Sequence, residues 1–150
     1  MSLEPQPLPE FKLIVAGGRD FHDFDKLSRV LYAMADVEFA NYNVSIVSGM
    51  APGADSLAVK FARELDIKLY EFPADWRPHG IFDKGAGHKR NERMGRFADG
   101  LLAFWDSKSR GTAHMITFMR SLRKPVHIVG YNLPFSADGL TFDESTGRVD

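Results

Sequence analysis

The chain has 150 residues, of which 44% are hydrophobic and 26% are charged, a balance typical of one globular domain that buries a core. It contains no cysteine, which excludes disulfides and thiolate metal sites and fits a reducing compartment. The formal net charge of -1 argues against general nucleic-acid binding, because binding driven by phosphates needs an excess of cations.

The sequence contains no segment with the ~20 consecutive apolar residues that a membrane-spanning helix needs. Residues 1–10 also lack the basic start and the apolar centre of a secretory signal. We therefore expect a cytoplasmic protein that makes no contact with a membrane.

Five short apolar runs predict strands. In chain order they are residues 13–16, 44–47, 69–72, 101–105 and 126–129. Each run is nearly continuous rather than alternating, which is typical of strands that are covered on both faces in a parallel sheet.

Four segments between these runs have apolar residues at helical spacing. Their apolar positions are Leu27, Val30, Leu31 and Met34; Ala54, Leu57, Ala58, Phe61, Ala62 and Leu65; Met94 and Phe97; and Met115, Phe118, Met119 and Leu122. The third helix, 87–97, is strongly charged. The alternation predicts an α/β fold, a Rossmann-like doubly wound parallel five-stranded sheet with helices on both faces, in a single domain.

The ends of the chain differ from this alternating body in composition. We expect an N-terminal tail over 1–10, the α/β domain over 11–130 and a C-terminal extension over 131–150. Residues 74–87 form the longest irregular connection inside the domain, and connections of that length are usually functional or mobile.

Three polar, glycine-containing loops follow predicted strands, at residues 17–20, 48–55 and 106–112. Ligands of open parallel sheets bind beyond the carboxyl ends of the strands, and a helix start offers free amides to an anion. The three loops together therefore predict a phosphate-bearing ligand, although each glycine could also serve only a tight turn. The P-loop motif and the three-glycine dinucleotide fingerprint are both missing.

Several motifs in one order resemble the YspA/YpsA-related (DUF2493-like) branch of the SLOG superfamily. They are VAGGRDF at 15–21, GMAPGADSLA at 49–58, ADW at 74–76, AGHKRNERM at 86–94 and FWDSKSRGT at 104–112. The resemblance covers residues 11–130 and implies a Rossmann-like fold that binds nucleotides or their derivatives. Relatives include the LOG phosphoribohydrolases, sensors of NAD-derived signals and DprA, which handles single-stranded DNA.

The resemblance to the LOG enzymes is incomplete. Arg90 and Met94 match their R-K-x-x-M helix, and Gly111 and Thr112 match the end of P-G-G-x-G-T-x-x-E. The catalytic glutamate of that motif falls on Met115, whose thioether cannot act as a carboxylate. The resemblance therefore implies binding without the LOG reaction, unless Asp20, Glu92 or His114 replaces the lost group.

Candidate ligand-binding residues come from the three loops, the long connection and the charged helix. They are Gly17, Gly18, Arg19, Asp20, Gly49, Pro52, Gly53, Asp55, Trp76, Arg90, Asn91, Lys108, Ser109, Gly111 and Thr112. Guanidinium groups suit phosphates, and a tryptophan suits a base. For Asp55, capping of a helix and contact with a ribose remain alternatives.

The spacing of His79, His88 and His114 does not match a metal site, so we predict no metal and no cofactor. The predicted function is binding or sensing of a nucleotide or an NAD- or ADP-ribose-like ligand, and we lean against an enzyme. The alternatives are LOG-type hydrolysis of an N-glycoside and DprA-type binding of single-stranded nucleic acid through 84–96. A homodimer is implied by the family resemblance alone.

Overall fold

The structure is a computed structural model that describes residues 7–131. Strands and helices alternate along the chain: β1 Glu10–Gly17, α1 Phe24–Asp36, β2 Asn43–Ser48, α2 Ala54–Glu64, β3 Leu69–Glu71, α3 Ala86–Phe97, β4 Gly100–Trp105, α4 Arg110–Ser121 and β5 Val126–Gly130. A short 3-10 turn, Pro78–Gly80, lies in the long connection before α3. The C-terminal extension predicted over 131–150 lies outside the described residues except for its first residue.

The five strands form one parallel sheet in the order β3-β2-β1-β4-β5. In the register, Leu13 of β1 pairs with Ile46 of β2 on one side and with Gly100 of β4 on the other. The order reverses between β1 and β4, and such a reversal opens a crevice at the carboxyl ends of the two strands. The predicted Rossmann-like doubly wound fold is confirmed.

Strand β1 is buried on both faces, which explains its continuous apolar run. Leu13 and Val15 belong to one core cluster with α1 and α2, while Ile14 and Ala16 belong to a second with α3 and α4. Because adjacent side chains of a strand point to opposite faces, both layers need apolar residues from the same strand.

The charged helix α3 packs against α4 through a small residue. A Cβ on Gly95 would lie 2.6 Å from the Phe118 ring, so the ring of α4 reaches the backbone of α3 only because this residue is glycine. The contact fixes the two helices that flank the crevice on one face of the sheet. In the part of the chain from 7 to 131, no helix combines the length and the apolarity needed to cross a bilayer.

Candidate functional site

A cleft of about 280 Å³ lies at the carboxyl ends of β1 and β4. Nine of the predicted residues line it: Gly17, Arg19, Asp55, Trp76, Arg90, Asn91, Ser109, Gly111 and Thr112. A smaller adjoining hollow of about 240 Å³ shares Arg19, Trp76 and Arg90 and adds Gly49 and Pro52. The fold thus brings residues from all three loops, the long connection and α3 into one place.

Two of the predicted glycines hold the first two loops against each other. Gly53 has a φ of +86°, and a Cβ there would lie 2.6 Å from the carbonyl carbon of Arg19. The carbonyl of Gly18 accepts hydrogen bonds from the amides of Phe21 at 3.2 Å and Ala54 at 3.3 Å. Gly18 and Gly53 therefore do not line the cleft but set the position of the loop that carries Arg19.

Asp20 also lies outside the cleft. The Tyr131 hydroxyl donates to Asp20 Oδ1 at 2.9 Å. Burial of the phenol, together with the nearby Asp20 carboxylate, raises the pKa of Tyr131 above its usual value. This contact ties the end of β5 to the loop after β1, of which Gly17 and the exposed Arg19 line the cleft.

Asp55 is a buried carboxylate, only 5% exposed, in the wall of the cleft. Its Oδ2 accepts one hydrogen bond, from the amide of Ala51 at 3.3 Å. Burial raises the pKa of Asp55 to about 6, since the hydrogen bond and the positive charges of Arg90 and Arg19 offset only part of the cost of burying the charge. At pH 7 the carboxylate is ionised in an environment that disfavours its charge.

Arg90 reaches across the cleft from α3. Its guanidinium donates to the carbonyl of Gly49 and, through Nε, to Asn91 Oδ1 at 3.1 Å. A Cβ on Gly49 would lie 2.9 Å from both Arg90 Cζ and Asp55 Oδ2. The two opposite charges thus approach each other over Gly49. Burial of the guanidinium lowers the pKa of Arg90.

Asn91 joins α3 to the start of α4. Its Nδ2 donates to the carbonyl of Gly111 at 3.1 Å and to His114 Nδ1 at 3.2 Å. The His114 ring stacks on His88 with centroids 3.9 Å apart, and burial and then His88 lower the pKa of His114. His114 is therefore neutral at pH 7, with its proton on Nε2.

The loop before α4 already contains an anion. Asp106 Oδ1 accepts from the amides of Lys108 and Ser109, both at 2.8 Å, and these bonds lower the pKa of Asp106. In residues 7–131 the amides of Arg110 and Gly111 have no acceptor. A Cβ on Gly111 would meet nothing within 4 Å. Fewer amides at this helix start are therefore free for a ligand than the loop sequence indicates. The side chain of Lys108 is exposed and does not line the cleft.

The three candidates for the lost glutamate do not line the cleft. Asp20 binds Tyr131, and Glu92 lies 3.7 Å from Arg96 and 3.8 Å from His114. Met115, on which the sequence motif places the LOG glutamate, does line the cleft. No three His, Asp or Glu side chains within 7–131 are placed to hold a metal ion.

Sequence reasoning missed part of the cleft wall. The additional lining residues are Ala16, Ala51, Lys84, Gly87, His88, Met94 and Met115. Most of them lie inside the quoted motifs, so the motifs themselves were the available signal. Lys84 comes from the long connection, where only the folded path places it near α3.

Three comparisons with known proteins bear on this site. Residues 11–79 match the family model YAcAr, described as the YspA, cpYpsA-related SLOG family. No curated protein matches the chain in sequence.

Two solved structures share the fold. DNA processing protein A (DprA) from Streptococcus pneumoniae is 16% identical with a TM-score of 0.63, and the match covers 79% of this chain and 50% of that one. DprA from Helicobacter pylori, described for its single-stranded DNA binding mode, is 19% identical with a TM-score of 0.53, covering 81% and 65%. This chain thus spans less than two thirds of either protein.

Proposed function

We propose that this chain, whose residues 11–79 match the model of the YspA, cpYpsA-related SLOG family, binds a nucleotide or a nucleotide-derived ligand. The observation that carries the proposal is the cleft at the reversal of strand order, where Arg19 and Arg90 line the same cavity as Gly111 at the start of α4. Cations and unpaired amides around one small cleft favour a ligand with a phosphate.

The start of α4 is the proposed phosphate end. The amides of Arg110 and Gly111 have no acceptor within the described part of the chain, and the hydroxyls of Ser109 and Thr112 lie 3.1 Å apart beside them. The helix dipole adds a partial positive charge at this point. Because Asp106 already occupies two amides of the loop, the phosphate has room only on the side of Gly111.

Trp76 is the proposed contact of the base. It lines the cleft from the long connection and is 38% exposed, so part of the indole is available for contact with a base. The volume of about 280 Å³ is at the lower end of ligand sites. A single nucleotide unit suits this volume better than a complete dinucleotide does.

Calorimetry of the purified chain with AMP, ADP-ribose and NAD tests the proposal. We expect saturable binding of at least one of them, weakened about tenfold by Arg90→Lys, which keeps the charge but loses the planar fork. Arg120→Ala, at the far end of α4, removes a charge elsewhere and should leave affinity unchanged. If the protein is folded and binds none of the three compounds, the proposal is overturned. Chromatography of the same samples detects any release of free base.

Binding of single-stranded nucleic acid is a second candidate. The rings of Trp76 and Phe82 lie at an interplanar angle of 10° with centroids 6.1 Å apart, Arg77 lies over Phe82, and Lys84 follows them. Exposed aromatics beside cations are typical of single-strand sites. This candidate predicts affinity for oligonucleotides that falls steeply with salt, and absence of binding at low salt would remove it.

The predicted cytoplasmic location and homodimer also remain proposals. Cell fractionation tests the first. Light scattering of the purified protein tests the second, and a mass of one chain over a wide concentration range would contradict it.

A further inference from the structure

The carboxylate of Asp55 has too few partners within the fold to stabilise its buried charge. Asp55 lies in the first turn of α2, yet its Oδ2 accepts a hydrogen bond from the amide of Ala51, which precedes the helix. An ionised carboxylate has about four acceptor positions, so one bond of 3.3 Å leaves most of its capacity unused. A buried charge with so few partners destabilises the fold, unless something else binds it.

Arg90 does not neutralise Asp55 by direct pairing. Within residues 7–131 the ion pairs of 4.0 Å or less do not include these two groups, although both lie over Gly49. The guanidinium is instead engaged by the Gly49 carbonyl and the Asn91 side chain. The carboxylate is therefore attracted by Arg90 and still available to donors inside the cleft.

The chemistry of a nucleotide narrows what Asp55 can bind. A phosphate only accepts hydrogen bonds, so it is repelled by a carboxylate and belongs with the amides of α4. The two adjacent hydroxyls of a ribose both donate, and their spacing suits the two oxygens of one carboxylate. An exocyclic amine of a base is the other donor, and the experiment below separates it from the ribose.

We infer that Asp55 binds the ribose hydroxyls of the ligand and makes the cleft selective for ribonucleotides over 2′-deoxyribonucleotides. The inference rests on the proposed function. It follows from a carboxylate that is 5% exposed, lines the cleft and is left unpaired by the nearest arginine. A site built to accept a hydroxyl rejects the analogue that lacks it, because the buried acceptor then remains unsatisfied. A cleft with this selectivity disfavours DNA, because DNA lacks the 2′-hydroxyl.

The decisive measurement is calorimetry of the full chain with AMP, 2′-deoxy-AMP, 3′-deoxy-AMP, ADP and IMP at pH 7.5. We expect AMP to bind at least about tenfold more tightly than 2′-deoxy-AMP, the loss typical of one hydrogen bond to a charged group. IMP lacks the exocyclic amine but keeps both hydroxyls, so it should bind within about threefold of AMP if base contacts are limited to stacking.

The variant Asp55→Asn tests the residue itself. The amide oxygen can still accept from Ala51, and we expect the ratio of AMP to 2′-deoxy-AMP affinity to fall to within about threefold. Asp36→Asn, an exposed carboxylate at the end of α1, removes the same charge far from the cleft and should keep the wild-type ratio.

The outcomes separate the two proposals. Equal affinity for AMP and 2′-deoxy-AMP in the wild type would overturn the ribose inference and leave nucleotide binding intact. Loss of affinity for IMP alone would assign Asp55 to the base and overturn it as well. Absence of binding by these five compounds and by ADP-ribose and NAD would overturn the proposed function and the inference with it. If Asp55→Asn fails to fold, the wild-type ratio alone decides.

Discussion

The two sides of the cleft use glycine in different ways. On the α2 side, added Cβ atoms at Gly49 and Gly53 would collide with neighbouring atoms at less than 3 Å. On the α4 side, a Cβ on Gly111 would meet nothing within 4 Å. Gly53 is therefore required by the backbone around it and Gly49 makes room for the side chains of Arg90 and Asp55, whereas the space around Gly111 is available to a ligand. Glycine-rich loops that look alike in sequence thus differ in what their glycines do.

The largest expected effect is on the α2 side. Gly53→Ala adds a Cβ 2.6 Å from backbone atoms of Arg19 at a φ of +86°, so we expect the free energy of unfolding to fall by about 3 kcal/mol or more. Urea denaturation measures it. Gly80→Ala is the matched control, since Gly80 has a φ of +81° but open space around it and should lose only about 1 kcal/mol. Equal losses in the two variants would remove the packing explanation.

On the α4 side we expect the opposite result. Gly111→Val fills the space next to the free amides, so nucleotide affinity should drop by about 3 kcal/mol, roughly a hundredfold. The free energy of unfolding should change by less than about 1 kcal/mol, because the φ of Gly111 lies outside the left-handed region and no neighbour is displaced.

Thr117→Val, an exposed position later in α4, serves as its control and should alter neither quantity. Wild-type affinity in Gly111→Val, measured by calorimetry, would place the phosphate elsewhere, with Gly17–Arg19 as the alternative.

Asp55 lies between the two sides of the cleft, and its charge lowers the free energy of unfolding by an amount that depends on pH. Because the folded pKa of about 6 exceeds the usual aspartate pKa of 3.8, the folded state holds a proton between these values that the unfolded state has lost. Stability contributed by this group therefore falls as pH rises through that window and stays low above it.

Asp55→Asn removes this cost. We expect the variant to be more stable than the wild type by about 2 kcal/mol at pH 7.5, and the gain to shrink to a small fraction near pH 4. Thermal denaturation at the two pH values measures it, with Asp36→Asn as the charge-matched control. A gain that is equal at both pH values would contradict the raised pKa.

The smallest effect is expected from Lys108→Ala. Its side chain is exposed and does not line the cleft, and its amide is held by Asp106, so nucleotide affinity should change by no more than about twofold. Lys84→Ala removes a cation that does line the cleft and should cost about 1 kcal/mol. The reverse order of the two losses would show that the ligand extends past the α4 loop.

The sequence was sufficient for the fold because the fold depends on patterns. Continuous apolar runs indicated the strands, and residues such as Leu13 and Ile14 in β1 had to be apolar together to serve two layers. The third strand is shorter than predicted, since it ends at Glu71, although the Phe72 amide still donates to the Ser48 carbonyl at 2.8 Å.

The site could be predicted only at the level of loops. Position after a strand placed Arg19, Asp55 and Gly111 at one edge of the sheet, and the structure brings all three to the cleft. The sequence could not show that Asp106 occupies the amides of its own loop, because that depends on a side-chain rotamer. It also could not show the burial of Asp55, which results from helices far apart in the chain.

Both tryptophans of the chain lie beside the cleft. Trp76 lines it directly, and the indole N-H of Trp105 donates to the carbonyl of Ser109 at 3.1 Å, at the start of α4. Tryptophan fluorescence of the unlabelled protein, excited at a wavelength where its four tyrosines barely absorb, therefore reports on this part of the molecule alone. Trp76→Phe leaves Trp105 as the single tryptophan, so its signal isolates events at the proposed phosphate end from stacking at the proposed base end during one titration.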